Sequence, residues 1–190
     1  MTKQQLRAKY KEERNLLSSS DQEQNSAAIV RELIKFPWAT IKFLHVFLPI
    51  KKMNEPNIYP FINYVKNYRS NMALVIGRSN NLDFSMCHFL FTEEVSLVEN
   101  RWGIMEPNSG EEIKETELDA VLVPLLVADN YGNRVGYGKG FYDRFLMRCK
   151  PSCLKIGVSF FEPVQHITDV GSFDIPLDYL ITPTGLKKFI

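Results

Sequence analysis

Apolar positions near the start of the chain recur at helical spacing, with Leu6, Tyr10 and Leu17 in one segment and Ala27, Val30, Leu33 and Ile34 in the next. Thr2 with Gln5 has the spacing of a capping box and opens the first predicted helix; Ser20 with Glu23 opens the second, which Pro37 stops. Ser18 to Ser20 is the turn between them. The pattern then changes. Thr40 to Leu48 is bulky and almost continuously apolar, as a central strand buried on both faces should be. A helix is expected over Glu55 to Tyr68, with Pro56 in its first turn, where a missing N–H costs little.

Strands are expected at Met72 to Ile76, Phe84 to Phe91 and Leu97 to Glu99, and a polar loop over Glu106 to Glu117. Asp119 to Ala128 is a second strongly buried strand. A helix over Lys139 to Cys149 and strands at Leu154 to Phe160 and Tyr179 to Thr182 complete the pattern. Strands alternating with helices at this spacing predict a parallel or mixed sheet covered on both faces. With 190 residues, no internal repeat and no dividing linker, the expectation is one α/β domain spanning 1–190.

Composition narrows the functional classes. Hydrophobic residues make up 45% and charged residues 24%, which excludes a disordered or low-complexity chain. Lys plus Arg number 23 against 22 Asp plus Glu, so no broad positive field draws the protein to nucleic acid or an anionic membrane, and any bound anion must be held locally. Met1 to Leu17 lacks the apolar core of a signal peptide, and the apolar runs Ile41 to Ile50 and Ala120 to Ala128 fall short of a membrane span. Three cysteines, Cys87, Cys149 and Cys153, are an odd count that suits a reducing compartment. The expectation is a soluble, cytoplasmic protein. Cys149 and Cys153 have no accompanying cluster of His45, His88 or His166, so a zinc site is not expected.

The chemistry concentrates in Asp129 to Phe145, DNYGNRVGYGKGFYDRF, which follows a buried strand and runs into a helix, where α/β proteins bind ligands. Gly136, Gly138 and Gly140 alternate, allowing unusual dihedrals and close approach of N–H groups to an anion. Lys139 adds a point charge and the following helix a partial positive one. Arg134, Lys139, Arg144, Arg148 and Lys150 face a single acid, Asp143, between Tyr131 and Lys150. The alternatives are a phosphate cradle and a glycine-rich turn with a solvated basic rim; the run has neither a Walker A ending nor G-x-G-x-x-G spacing. Asp143 could hold Mg²⁺ or serve as an ordinary first-turn acid.

Leu122 to Leu146, with its Val-Pro, Asp129, Gly132, Asn133-Arg134, Gly136-Tyr-Gly-Lys-Gly140 and Phe141-Tyr142-Asp143-Arg144, closely resembles the 5-formyltetrahydrofolate cyclo-ligase family, also called 5,10-methenyltetrahydrofolate synthetases. Lys3-x-x-x-Arg7, Glu55-x-Asn57, Gly103-Ile-Met-Glu-Pro107, Lys155-Ile-Gly-Val158 and Asp174-x-x-x-Asp178 follow in the family's order, so the similarity spans nearly the whole chain. The resemblance implies a Rossmann-like three-layer α/β/α domain with a mostly parallel sheet. It implies an enzyme that uses ATP and Mg²⁺ to cyclise 5-formyltetrahydrofolate, with or without a polyglutamate tail, to 5,10-methenyltetrahydrofolate, releasing ADP and phosphate. The oligomeric state is not fixed by the sequence, with a monomer favoured, and the charge balance predicts neither nucleic-acid nor membrane partners.

Residue by residue, the resemblance places ATP on Lys3, Arg7 and the loop Arg134, Val135, Gly136, Tyr137, Gly138, Lys139, Gly140, Phe141 and Tyr142. It places the folate on Glu55, Asn57, Trp102 and Tyr137 to Phe141, the magnesium on Asp143 and Asp174, and catalytic charge on Lys139 and Arg144. Each has a plainer reading: solvated helix charges for Lys3 and Arg7, a turn residue beside Pro176 for Asp174, a first-turn helix charge for Glu55, and packing for Trp102. The chain departs from the family at Glu55-Pro56-Asn57-Ile58, where an amide replaces a second acid, at Phe141, which lacks one phenolic hydroxyl, and at Gly77, where proline is common. The competing readings are a non-catalytic folate- or nucleotide-binding module and a sugar-phosphate enzyme on a similar scaffold.

Overall fold

A computed structural model describes residues 1–80, 82–100 and 103–189. Helix α1 (Lys3–Leu16) begins at the expected capping box: the Thr2 hydroxyl accepts from Gln5 N (3.3 Å) and Gln5 Oε1 from Thr2 N (2.9 Å). The second box lies two residues earlier than expected. Ser18, not Ser20, caps α2 (Ser19–Lys35), and its partner is Asp21, not Glu23. Ser18 directly follows the residue that closes α1, so the competing pair falls inside the first turn. The face that packs inward is Ser26, Ile29, Val30 and Leu33, and Ala27 is exposed.

Eleven strands follow in chain order: β1 (Phe43–His45), β2 (Ala73–Asn80), β3 (Ser85–Leu90), β4 (Leu97–Glu99), β5 (Met105–Pro107), β6 (Ala120–Pro124), β7 (Val127–Ala128), β8 (Arg134–Val135), β9 (Leu154–Val158), β10 (Tyr179–Thr182) and β11 (Gly185–Lys188). Helices α3 (Tyr59–Tyr68) and α4 (Phe141–Arg148) complete the α-helical elements among the described residues. Seven strands form one sheet in the order β11-β10-β9-β6-β1-β2-β3. The five inner strands are parallel, and β3 and β11 pair antiparallel at the two edges.

Several expected elements are shorter or displaced. The apolar run from Thr40 is strand only at Phe43–His45; a 3-10 turn occupies Trp38–Thr40, and buried Val46 to Leu48 leave the sheet as irregular chain. The run Asp119 to Ala128 splits at Pro124, which has no N–H to continue the ladder, into β6 and β7. Glu55 lies outside α3, because a residue preceding proline is disfavoured in the helical region and Pro56 follows it. The proline in the first turn is Pro60. The expected loop over Glu106 to Glu117 contributes to β5 and a 3-10 turn, and the short strands β8 and β11 had no clear signal.

The two faces of the sheet are covered separately. Ile29, Leu33, Phe61 and Val65 of α2 and α3 pack on Leu44, Leu74, Leu122 and Ile156. Phe145 and Leu146 of α4, with Phe189, pack with Val75, Val121 and Leu180 on the other side. Leu6 and Tyr10 of α1 pack instead against Leu126, Val127, Val135 and Ile167, beyond the end of β6. The chain enters the sheet centrally at β1, moves outward to β2 and β3, then returns to β6 on β1's other side. That reversal opens a crevice beyond the carboxyl ends of β1 and β6, where parallel α/β sheets bind ligands.

Candidate active site

Four separate segments converge on this crevice: α1, the chain after β1, the glycine-rich loop after β8, and the segment before β10. In the loop, Gly138 (φ +86°) and Gly140 (φ +71°) hold left-handed backbone that a side chain would strain. Gly138 is also pressed from above, since a Cβ there would lie 3.0 Å from Arg7 Cζ. Arg7 Nε donates to Gly136 O (2.9 Å), so α1 clamps the loop with a guanidinium laid over its backbone. Gly136 itself has open space around its Cβ direction and needs no special conformation. Gly140 caps α4 without a side-chain hydrogen bond, leaving the helix's first N–H groups toward the crevice end. Lys139 is exposed; Arg144 folds back to donate to Lys139 O (3.1 Å) and lies 5.6 Å from the Phe84 ring centroid. Phe141 meets Phe84 edge-on, and Val135 is buried behind the loop.

Opposite charges alternate beside the loop. Arg134, with its side chain 7% exposed, places Nη2 2.6 Å from Asp143 Oδ1 and donates through Nη1 to Ile175 O. Burial pulls its pKa down, while Asp143 and Asp174 pull it back up. Lys3 pairs with Asp174, which also accepts from Gly171 N (2.5 Å). Burial opposes ionisation of Asp174, but Lys3, the Gly171 N–H and Arg134 together hold its carboxyl below the usual range. The structure therefore brings Lys3, Arg134, Asp143 and Asp174 together. No trio of His, Cys, Asp or Glu poised around a metal occurs among the described residues. Two carboxylates nevertheless suit Mg²⁺, which keeps several waters and takes substrate phosphate oxygens in the remaining positions.

The third group is buried. Glu55 is 8% exposed; its Oε2 accepts from Ile50 N (2.9 Å) and its Oε1 from the Tyr137 hydroxyl (2.7 Å). Burial raises the Glu55 pKa, against the lowering influence of Ile50 N–H, Tyr137 and Arg14. Burial likewise pushes the Tyr137 and Tyr142 hydroxyls far up, and the nearby Glu55 charge reinforces both shifts. Glu55 is thus a buried, hydrogen-bonded carboxylate outside α3 and not a helix first-turn charge. Asn57 is exposed and committed to local structure: its Oδ1 accepts from Tyr59 N (3.1 Å) and its N–H donates to Ser26 Oγ (3.1 Å). Trp102 lies outside the described residues.

Sequence reasoning missed Arg14, which is 1% exposed and donates to the Tyr137 hydroxyl (3.0 Å) and to Leu125 O. Its signal was present, because Leu6, Tyr10 and Arg14 form one i, i+4 stripe along α1, and a cation on an apolar stripe needs a partner. His45 and His88 were also missed as a pair. They are buried edge-on with centroids 5.1 Å apart, beside Phe145, and none of their four ring nitrogens has a hydrogen-bond partner.

The chain is 28% identical over 196 residues to the 5-formyltetrahydrofolate cyclo-ligase of Mus musculus, covering 94% of this chain and 92% of the relative. It is 25% identical over 206 residues to a probable 5-formyltetrahydrofolate cyclo-ligase of Schizosaccharomyces pombe, covering 100% and 99%. Among solved structures, the 5,10-methenyltetrahydrofolate synthetase of Aquifex aeolicus superposes with a TM-score of 0.83 at 28% identity, over 99% of this chain and 93% of that one. The family pattern itself matches residues 1–183, a span that takes in Lys3, Arg7, Glu55, the glycine-rich loop and Asp174. A match that includes every segment converging on the crevice makes the chain a member of the 5-formyltetrahydrofolate cyclo-ligase family.

Proposed function

We propose that the protein converts 5-formyltetrahydrofolate to 5,10-methenyltetrahydrofolate with hydrolysis of ATP to ADP and phosphate. The observation that carries this reading is the family match over residues 1–183, on a site whose buried carboxylate and cationic glycine loop face one crevice. In the reaction the formyl oxygen takes the γ-phosphoryl group and ADP leaves. N10 then attacks the activated carbon, loses its hydrogen as a proton, and the formyl oxygen departs within inorganic phosphate. An amide oxygen is a poor leaving group and phosphate a good one. The demand on the protein is positioning and charge neutralisation more than covalent chemistry.

The residues divide accordingly. Lys3, Arg7 and the loop from Arg134 to Tyr142 bind the nucleotide, with Gly138 and Gly140 letting the backbone approach the phosphates. Lys139 and Arg144 supply charge to the transferring group. Glu55 accepts N–H groups of the pterin, Tyr137 to Phe141 form the loop's folate side, and Asn57 supports the Glu55 segment through α3. Asp143 and Asp174 would hold Mg²⁺, which supplies neutralisation of polyphosphate charge. No described helix is long and apolar enough to cross a membrane, and we infer a cytoplasmic, monomeric enzyme.

The test is direct. Protein, ATP, Mg²⁺ and 5-formyltetrahydrofolate are mixed and the near-ultraviolet band of the methenyl product is followed. Growth of the band that requires ATP supports the reading; intact ATP binding without product identifies a binding module instead.

A further inference from the structure

Arg14 is among the largest fully buried side chains of the protein, and its immediate partners are neutral: the Tyr137 hydroxyl at 3.0 Å and the Leu125 carbonyl. Its Nε has no hydrogen-bond partner. A guanidinium out of water is costly unless a charge answers it, and the charge within reach is Glu55, one hydroxyl away. The direction of the relay follows from the donor inventory. Arginine only donates, so the Tyr137 oxygen must turn a lone pair to Arg14, which leaves its hydrogen for Glu55 Oε1 at 2.7 Å. Ile50 N–H occupies Glu55 Oε2 from the other side. Each carboxylate oxygen is thereby held by one protein donor and keeps capacity for one more.

We propose that Arg14 is a positioning residue for the folate: through the Tyr137 hydroxyl it fixes Glu55 as an oriented, charged acceptor for the N–H groups of the pterin. The proposal rests on the cyclo-ligase reading of the site. It assigns to α1 two tasks separated by two turns, since Arg7 clamps the loop backbone while Arg14 governs the Glu55 end. The groups facing Glu55 are Arg14 from α1, Tyr137 from the glycine loop, Tyr142 from α4 and the Ile50 N–H from the chain after β1. Among these described groups Arg14 is the cation, and its charge lowers the Glu55 pKa. Without it, burial acts on Glu55 with one fewer opposing influence, and the carboxyl takes up a proton nearer neutrality.

The experiment measures 5-formyltetrahydrofolate binding without ATP, by calorimetric titration from pH 6.5 to 8.5, in the parent protein and in Arg14→Gln, Arg14→Lys, Tyr137→Phe and Glu55→Gln. Arg14→Gln is expected to weaken folate binding about ten- to hundredfold at pH 7, the range for a hydrogen bond to a charged group, and to recover part of the loss as pH rises. The parent should show the shallower pH dependence of the two, and Arg14→Lys should restore that shallower profile without full affinity, because an ammonium cannot reproduce the planar fork spanning Tyr137 and Leu125. The KM for ATP should stay within about twofold in Arg14→Gln and Arg14→Lys. A folded Arg14→Gln that binds folate like the parent, or loses folate and ATP equally at every pH, overturns the proposal. Should Arg14→Gln not fold, Arg14→Lys decides: parent-like folate affinity overturns the relay, and a folate-specific loss supports it. Glu55→Gln separates the two levels. Parent-like binding there removes Glu55 from the folate site and the proposal with it, whereas weak binding beside a silent Arg14→Gln sinks the role of Arg14 alone.

Discussion

His88 offers a quantitative test of how the core is built. Its side chain is 2% exposed, stacked on Phe145 at 4.1 Å between centroids, with neither ring nitrogen hydrogen-bonded. Burial pulls its pKa from 6.5 to about 4; Glu115, 3.9 Å away, pulls upward and Arg148 downward. His45 beside it is held well below its ordinary value by burial and by His88. A base whose folded pKa is depressed binds its proton more readily in the unfolded chain, so stability is lost as pH falls from about 6.5 toward 4 and changes little above 7. At ~1.4 kcal/mol per pH unit the full effect from His88 is roughly 3 kcal/mol, of which about 2 kcal/mol is spent by pH 5. His45 adds in the same direction. In His88→Leu the ring is replaced by an apolar group of similar size and no hydrogen bond is broken, so stability at pH 8 should fall by less than ~1.5 kcal/mol. Denaturant unfolding at pH 8, 7, 6 and 5 should then show the variant gaining on the parent by about 2 kcal/mol toward pH 5. Parallel curves, with a constant difference across that range, would refute the assignment of a neutral, penalised imidazole.

Four further substitutions separate roles within the site. Gly138→Ala places a Cβ at 3.0 Å from Arg7 Cζ in left-handed backbone, so it should cost about 1–2 kcal/mol and raise the KM for ATP more than that for folate, while Gly136→Ala, with open space and ordinary φ, should leave both near parent values in steady-state kinetics. Asp143→Asn removes the carboxylate that answers buried Arg134, so thermal unfolding should show a loss of about 2 kcal/mol alongside a collapse in turnover; unchanged rate and midpoint together would remove Asp143 from the site. Lys139→Ala, at an exposed loop position, should leave unfolding within about 0.5 kcal/mol of the parent and lower kcat with folate binding intact; an unchanged kcat would end its assignment to the transferring phosphoryl group.

What the sequence made legible was local. The α1 capping box, the β4 and β10 boundaries and the unusual dihedrals of Gly138 and Gly140, though not of Gly136, each follow from a few neighbouring residues, and the structure has them where expected. Errors arose where tertiary context decides. The apolar run from Thr40 is long because it passes through the middle of the core, and hydropathy cannot tell strand from buried irregular chain once both are dry. Ser18 and Ser20 offered two capping registers two residues apart, and the inward turn of Ser26 and Ile29 in place of Ala27 is set by the core that α2 packs against. The pairing of Lys3 with Asp174 and of Glu55 with Tyr137 spans 171 and 82 positions, so each required the assembled sheet and not a motif.

That same span explains why the loop is the hinge of the site's logic. Gly136 O is held by Arg7, Gly138 lies beneath the same guanidinium, and Tyr137 between them sends its hydroxyl to Glu55 and Arg14. Successive residues therefore face two different environments, a basic one over the backbone and a dry one around a buried carboxylate. Glycine on either side of Tyr137 leaves the first environment open to a polyanion while the tyrosine closes the second. In the proposed reaction the γ-phosphoryl group must reach an oxygen of the folate, so nucleotide and pterin ends have to be held in one fixed relation. A single loop, held at Gly136 and Gly138 by Arg7 and at Tyr137 by Arg14 of the same helix, supplies that relation without a moving part: displacement of α1 would loosen the Arg7 clamp and the Arg14 relay together.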